Sequence, residues 1–506
     1  MQQYTTGTAR VQSLSRTGLL CEPVEIEVDV AHGLPQFIIV GLPDAAVSEA
    51  RDRVRSAIKN SGFHFPLARV TVNLAPAHTK KEGSMFDLPI ALGIIVAIGE
   101  IQLPHSHLSV GELALDGRLR GILGALPVMR YAIDRGSTII VPQQHEAEAA
   151  LLASKNIQLA TSLRHVIAQA KGEMVPIYAT QSSPAPIKQP SMNMRDIKAQ
   201  YVAKRALEIA AAGGHNLLLS GPPGVGKSML AKALPGIIPP LTRDEMIDVT
   251  MMHSLTRHVQ QAIQSPPFCA PHHTASTASL IGGGRNSAPG QLSLAHHGVL
   301  FLDELPEFRR DALEALRQPL EDGSITISRI NGHATYPAQC IVVGAYNPCP
   351  CGYAESTARE CTCSAQQIQR YTKKLSGPLL DRFDIKTFVP SVDPDLFDSS
   401  SSCENSNDVQ QRVIIARDMQ LQRQRKKNAA LNSAEIEQYT VLPLNAKKLL
   451  KAGLQSFGLS ARGYNSARRV ARTIADVERS ENVKETHIAE ALQYVLGTRA
   501  TRSAEQ

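Results

Sequence analysis

The sequence predicts an α/β protein built of several units, on three observations. A glycine-rich loop, Gly221-Pro222-Pro223-Gly224-Val225-Gly226-Lys227-Ser228, lies between a short apolar strand and a helical segment. A second apolar strand, Val299 to Leu302, runs straight into Asp303 and Glu304. From residue 409 to 498 the pattern is helical, with Gly and Pro only as punctuation. At 506 residues the chain has room for about three domains, each with its own core.

The first unit is expected over 1–172 and reads as α+β. Val24 to Val30 alternates like a half-buried strand, and Phe37 to Val40 reads as its neighbour. Val47, Val54 and Ile58 recur at helical spacing behind Asp44, a suitable N-cap. Arg69 to Leu74 is a further strand, and Pro89 to Gly99 a buried helix with proline in its first turn. Residues 173–194 are rich in Pro, Ser and Gln and read as a linker. A second unit is expected over 195–395, a second linker over 396–408, a helical unit over 409–498 and a tail over 499–506.

The glycine-rich loop has the spacing of a phosphate-binding loop. Its glycines let several backbone N–H groups converge on one phosphate chain, Lys227 reaches the β/γ-phosphates, and Ser228 reaches Mg²⁺. Asn216 to Ser220 supplies the strand before it and Met229 to Leu234 the helix after it, whose N-terminus favours anions. ATP with Mg²⁺ is therefore the expected cofactor pair. Asp303 is placed to hold the Mg²⁺ shell, and Glu304 to orient and deprotonate the attacking water. A third strand, Cys340 to Ala345, leads into Tyr346 and Asn347, whose amide can reach the γ-phosphate or the water.

Cys349, Cys351, Cys361 and Cys363 form C-x-C-x₉-C-x-C, a spacing that can surround one Zn²⁺. Four free thiols and a redox or iron–sulfur site are the alternatives. Cys21, Cys269, Cys340 and Cys403 read as ordinary core or surface residues. The first twenty residues carry no apolar stretch, and Ala91 to Ile98 is too short to span a bilayer. The expectation is a cytoplasmic protein without a membrane partner.

The chain has no tryptophan and only 4% aromatic residues, which argues against a single-strand binder that works by base stacking. A net charge of +7 permits an acidic polymer as partner. Ile325 to Ser328 and Ala334 to Tyr336 flank Asn331-Gly332, a hairpin signal, with Arg329 and His333 near its tip. Those two side chains, and Arg285 in the glycine-rich insertion from Ser265 to Gly290, are candidate DNA contacts; a purely structural hairpin is the alternative. The run Arg412, Arg417, Arg423, Arg425, Lys426 and Lys427 faces one acid, Asp418, and reads as a solvated face or a nucleic-acid contact.

The order of phosphate loop, acidic strand and strand-end asparagine resembles the AAA+ ATPases. Ala270-Pro271-His272-His273-Thr274, Ile281 to Gly284, Leu294-Ala295-His296-His297-Gly298, Asn347 to Gly352 and Leu380-Asp381-Arg382-Phe383-Asp384 are more specific. Together they resemble the magnesium-chelatase-like branch called ComM or YifB, over nearly the whole chain. Gly41 to Asp44 and Lys81 to Pro89 are similar to that family's N-terminal domain, which is like the Lon protease (an S5 domain 2-like fold). The resemblance implies an AAA+ P-loop core with a C-terminal helical lid, Arg382 as an arginine finger acting on a neighbouring subunit, and Arg462 as a second sensor, with Arg468, Arg469 and Arg472 nearby. It also implies a homo-hexamer that moves single-stranded or branched DNA, promoting branch migration during natural transformation. Against the Lon motif, Met85 falls where the nucleophile belongs, Ser84 is one position away and Leu126 takes the place of the lysine, so the domain is expected to be proteolytically silent. A chelatase-type motor subunit acting on a partner protein is the alternative, and an ATP-dependent protease a weaker one.

Overall fold

The computed structural model describes residues 7–78, 80–104, 106–180, 192–284, 287–329, 332–354, 359–392, 404–457 and 460–497. Its N-terminal part is a seven-stranded mixed sheet in the spatial order Gln36–Val40, Arg69–Ala75, Leu20–Ala31, Gly7–Thr17, His107–Ser109, Thr138–Pro142 and Ile157–Ala160. Alternation in Leu20–Ala31 buries Val24, Ile26, Val28 and Val30 on one face. The helix Ala45–Asn60 starts where the Asp44 carboxylate accepts the Val47 N–H at 2.8 Å, a cap that contributes about 1 kcal/mol. Its buried stripe includes Val47, Val54 and Ile58, as the spacing predicts. The helix Asp87–Ala97 is buried nearly all round, which fits its lack of a polar face.

One expected neighbour is different. Gln36–Val40 pairs in parallel with Arg69–Ala75, and not with Leu20–Ala31. The helix between the first two is a crossover connection, which returns the chain parallel to the strand it left and inserts Arg69–Ala75 into the sheet.

The second sheet has five strands, all parallel, in the order Phe268–Cys269, Val299–Leu302, Ile341–Tyr346, Leu217–Ser220 and Ile385–Phe388. Leu217–Ser220 and Val299–Leu302 are buried at every position, as strands covered on both faces must be. The glycine-rich loop, Asp303 and Asn347 each follow the C-terminal end of a strand here, the edge where open α/β sheets bind ligands. The fold is the expected α/β class with an AAA+ core.

Past this sheet the chain is helical: Ser406–Gln424, Ser433–Tyr439, Leu444–Phe457, Ala461–Val477 and Glu485–Leu496. The basic run is neither a free solvated face nor an open contact surface. Arg412 binds Glu208 at 2.5 Å and also Glu404, and Arg417 donates to the Ala211 carbonyl at 2.7 and 2.9 Å. Arg423 forks onto Asp476 at 2.8 and 2.9 Å, and Lys426 pairs with Glu435 at 2.6 Å. Lys427 lies against Gly214, and repulsion from Arg417 pushes its amine down to about 7. Arg412, Arg417 and Arg423 fasten the helix to Tyr201–Gly213 and Ala461–Val477 through an acid or carbonyl far away in sequence, while Arg425 is exposed. A buried cluster also ties the helices to the sheet: Asp384 accepts from His215 at 2.9 Å, Arg469 at 3.3 Å and Ser466.

Ser324–Arg329 and Gly332–Pro337 form the expected hairpin, but with Gly332 opposite Arg329 in the ladder instead of in the turn. Tertiary anchors override the local Asn-Gly signal: Ile325 opposes Tyr336, both buried, and the Tyr336 hydroxyl donates to the Ser287 carbonyl at 2.5 Å. Gly18 of the N-terminal sheet packs on that tyrosine so closely that a Cβ would lie 2.7 Å from its hydroxyl. Among the described residues no helix is long and apolar enough to cross a membrane.

Candidate functional site

The loop Gly221–Ser228 begins at the end of the buried strand Leu217–Ser220 and runs into the helix Lys227–Ala233. Gly224 and Gly226 have φ of +81° and +92°, and no atom lies within 4 Å of where a Cβ would stand on either. The loop therefore curls in the left-handed region around open space, the shape of an anion cradle.

Lys227 is buried at the base of that cradle. Its amine donates to the carbonyls of Gly221 (2.6 Å) and Pro222 (2.8 Å) and to Asn347 Oδ1 (3.0 Å). Burial pushes the amine down to about 8, although Asp303 works the other way. Ser228 Oγ donates to Asp303 Oδ2 at 2.8 Å. Residues from three strand ends, separated by 75 and 120 positions along the chain, thus meet in one cluster.

Glu304 stands beside the cluster with its side chain 57% exposed and its backbone left-handed at φ +51°. A non-glycine residue there costs about 1 kcal/mol or more, and such strain concentrates at working sites. Its Oε2 lies 3.0 Å from His273 Nδ1. The sequence marks His273 only as part of a motif; the structure brings it to the acid expected to act as base. The helix Thr277–Ile281 begins four residues on.

Arg382 and Arg462 converge elsewhere. Arg382 donates to the Pro378 carbonyl at 2.8 Å and to Glu321 at 2.5 Å, and Arg462 reaches the same Glu321 oxygen at 3.3 Å. Arg462 and Arg382 together hold the Glu321 carboxyl below the usual range. Among the described residues neither arginine hydrogen-bonds to the phosphate loop. The other nearby arginines are committed: Arg468 to Glu437, Arg469 to Asp384 and Arg472 to Asp476.

The four cysteines come together. Cys349 Sγ lies 3.3 Å from Cys351 Sγ and 3.6 Å from Cys361 Sγ, Cys351 and Cys361 are 3.6 Å apart, and Cys363 falls within 4.8 Å of the set. Tetrahedral zinc with bonds of about 2.3 Å sets sulfur–sulfur edges of about 3.8 Å, so the cluster fits that ion with small adjustment. Asp248, His296 and His297 also converge. There His296 Nδ1 accepts the Gln339 N–H at 3.2 Å, which leaves the proton on Nε2 and no lone pair for a metal.

Of the candidate DNA contacts, His333 is exposed, with Nδ1 2.9 Å from Ser328 Oγ, and lines a cleft against the N-terminal sheet that also includes Ser84 and Glu112. Arg329 lies in the hairpin ladder, but its side chain, like Arg285 and Cys403, falls outside the described residues, as do 181–191 and 396–403 within the expected linkers and 393–395 at the end of the second expected unit. In the N-terminal part Ser84 donates to Glu112, Lys80 pairs with Glu82 at 2.9 Å, and the buried Lys81 donates to the Pro76 carbonyl. Leu126 is fully buried.

Comparison with known proteins follows this geometry. A profile described as "Magnesium chelatase, subunit ChlI" matches residues 193–396. A second, "Subunit ChlI of Mg-chelatase", matches 26–145, and a third, for the ChlI C-terminal region, matches 403–495. The protein YifB of Salmonella typhimurium is 44% identical over 496 residues, 96% of each chain. The YifB of Escherichia coli is 42% identical over 490 residues, again 96% of each. The competence protein ComM of Haemophilus influenzae is 44% identical over 501 residues, 96% of this chain and 97% of its own. The chain belongs to the ComM/YifB family of magnesium-chelatase-like AAA+ proteins.

Proposed function

We propose that the protein is an ATPase whose hydrolysis drives movement of single-stranded or branched DNA, as a homo-hexamer, promoting branch migration during natural transformation in the cytoplasm. The observation that carries the nucleotide half is the joined cluster of Lys227, Ser228, Asp303 and Asn347 at the sheet's ligand-binding edge. The DNA half is supported by the likeness to a competence protein and by the hairpin, one face of which is buried while the other exposes His333.

In this reading Gly221 to Ser228 binds the phosphates, with Lys227 exchanging the loop carbonyls for phosphate oxygens. Ser228 and Asp303 hold Mg²⁺. Glu304 orients a water and takes its proton, and Asn347 keeps that water or the γ-phosphate in line. The bound Mg·ATP supplies the phosphoanhydride bond whose cleavage powers the stroke. Arg382 completes the site of a neighbouring protomer, and Arg462, as second sensor, lets the helical lid report on the nucleotide; each leaves Glu321 to do so. Arg329, His333 and Arg285 contact phosphates of the strand. Zn²⁺ occupies the four thiolates.

The organisation that goes with this reading is a proteolytically silent Lon-like unit over 1–172, an ATPase core over 195–395 and a helical lid over 409–498. ATP hydrolysis measured with and without branched DNA tests it: stimulation by DNA is expected, and a rate indifferent to DNA would refute the motor. A motor subunit of the magnesium-chelatase type is the second reading, favoured by the matched profiles themselves. Its mark would be stimulation by a partner protein and not by DNA.

A further inference from the structure

The cysteine loop starts and ends at the nucleotide cluster. It leaves Asn347, whose amide oxygen accepts from Lys227, and Cys349 follows two residues on. After Cys363, Ser364 caps the helix Ala365–Thr372, and Tyr371 on that helix receives the backbone N–H of Asn347. Just after Cys351 the loop rests on the phosphate loop itself, at Gly352. Gly352, at φ +91°, donates its N–H to the Cys349 carbonyl and Sγ at 3.0 and 3.2 Å. It packs so close to Pro223 that a Cβ there would lie 2.5 Å from the proline ring. Pro223 lies between the two carbonyls that hold Lys227 and the open turn at Gly224.

We propose that Zn²⁺ in the four thiolates is a clasp for the nucleotide site: by closing the loop on itself it holds Gly352 under Pro223 and fixes the backbone of Asn347. The inference rests on the ATPase reading and adds a positioning role for the metal. Loss of zinc releases the loop. The phosphate loop and Asn347 then lose their shared support, and ordering them again is charged against nucleotide binding. Four thiolates would complete a tetrahedral zinc's coordination, so its effect falls on affinity and on the alignment of Asn347.

The test uses the full chain, with zinc content and the affinity for a non-hydrolysable Mg·ATP analogue measured together. About one zinc per chain is expected, with analogue Kd rising at least tenfold after treatment with a zinc-selective chelator and recovering on addition of Zn²⁺ but not of more Mg²⁺. Cys361→Ser with Cys363→Ser should reproduce the loss without chelator. Gly352→Ala keeps every thiol, so it should retain zinc yet weaken analogue binding. Unchanged affinity in the zinc-free protein, or no zinc bound after incubation with the ion, overturns the clasp and leaves the ATPase reading standing. A zinc-loaded chain that binds no nucleotide overturns that reading and the clasp with it.

Discussion

His273 Nδ1 sits 3.0 Å from Glu304 Oε2, so the acid proposed to activate water shares its carboxylate with a histidine that lies just before the helix Thr277–Ile281. A carboxylate engaged in this way must leave the histidine before it can reach a water. The pair is exposed, and such pairs are worth at most about 1 kcal/mol. His273→Ala should therefore raise the basal ATPase rate by up to about fivefold, with nucleotide affinity unchanged. Glu304→Gln should instead lower kcat by about 10²–10⁴-fold while binding ATP normally. Steady-state rates beside analogue binding check both; a fall in rate for His273→Ala would show that the histidine assists the base.

Lys227 gives a pH dependence with a definite sign. Burial lowers its amine to about 8 in the free protein, so the charged form is disfavoured there relative to an exposed lysine. Phosphate restores the charge. Below about pH 8 affinity for ATP should be flat; above it each binding event takes up a proton, and Kd should rise about tenfold per pH unit. Calorimetric titration across that range measures this, and proton uptake appears as a dependence of the heat on buffer. A flat profile to high pH would mean that the amine keeps its charge in the free site.

The Arg382 side chain is only 13% exposed and also donates to the Pro378 carbonyl, so its removal loses packing as well as an ion pair. Arg382→Ala should lower the melting temperature modestly and leave ATP binding intact. Its kcat should fall by about 10³-fold or more, the scale of a missing arginine finger. Normal hydrolysis by this variant would remove Arg382 from the catalytic assignment.

Asp384 is a structural acid inside a motif that looks catalytic. Burial works to raise its carboxyl, but Arg469, His215 and Ser466 prevail and hold it well below the usual carboxylate range. A carboxyl lowered on folding stabilises the protein above its unfolded pKa of about 3.9, and that contribution drains away as pH falls towards the folded value. Asp384→Asn leaves Arg469 buried without its counter-charge and should cost about 3–5 kcal/mol at neutral pH. Denaturant unfolding at neutral and at acid pH checks this, and the difference between wild type and variant should shrink in acid.

The nucleotide cluster was legible in the sequence because each member closes a short apolar run: Ser220 leads to the glycine loop, Leu302 to Asp303, Tyr346 to Asn347. Strands buried on both faces announce themselves locally, and their C-terminal ends are the ligand edge whatever their order. The four cysteines were legible for the same reason of proximity in the chain. The roles of His273 and Glu321 were not, since each depends on a partner brought close only by folding. The basic run at Arg412 misled because its counter-ions, Glu208 and Asp476, lie far away in sequence and a local charge count does not include them. The place of Gln36–Val40 was hidden too, because a crossover helix and not strand pattern decides which strand it meets.

The central claim is that ATP cleavage at Lys227, Asp303 and Glu304 moves DNA. Its most direct measurement is the conversion of a labelled four-way DNA junction to products by wild type and by Lys227→Ala at equal protein concentration. The account predicts ATP-dependent conversion by the wild type and none by the variant. Equal conversion by both, or none by a wild type that hydrolyses ATP, would contradict it.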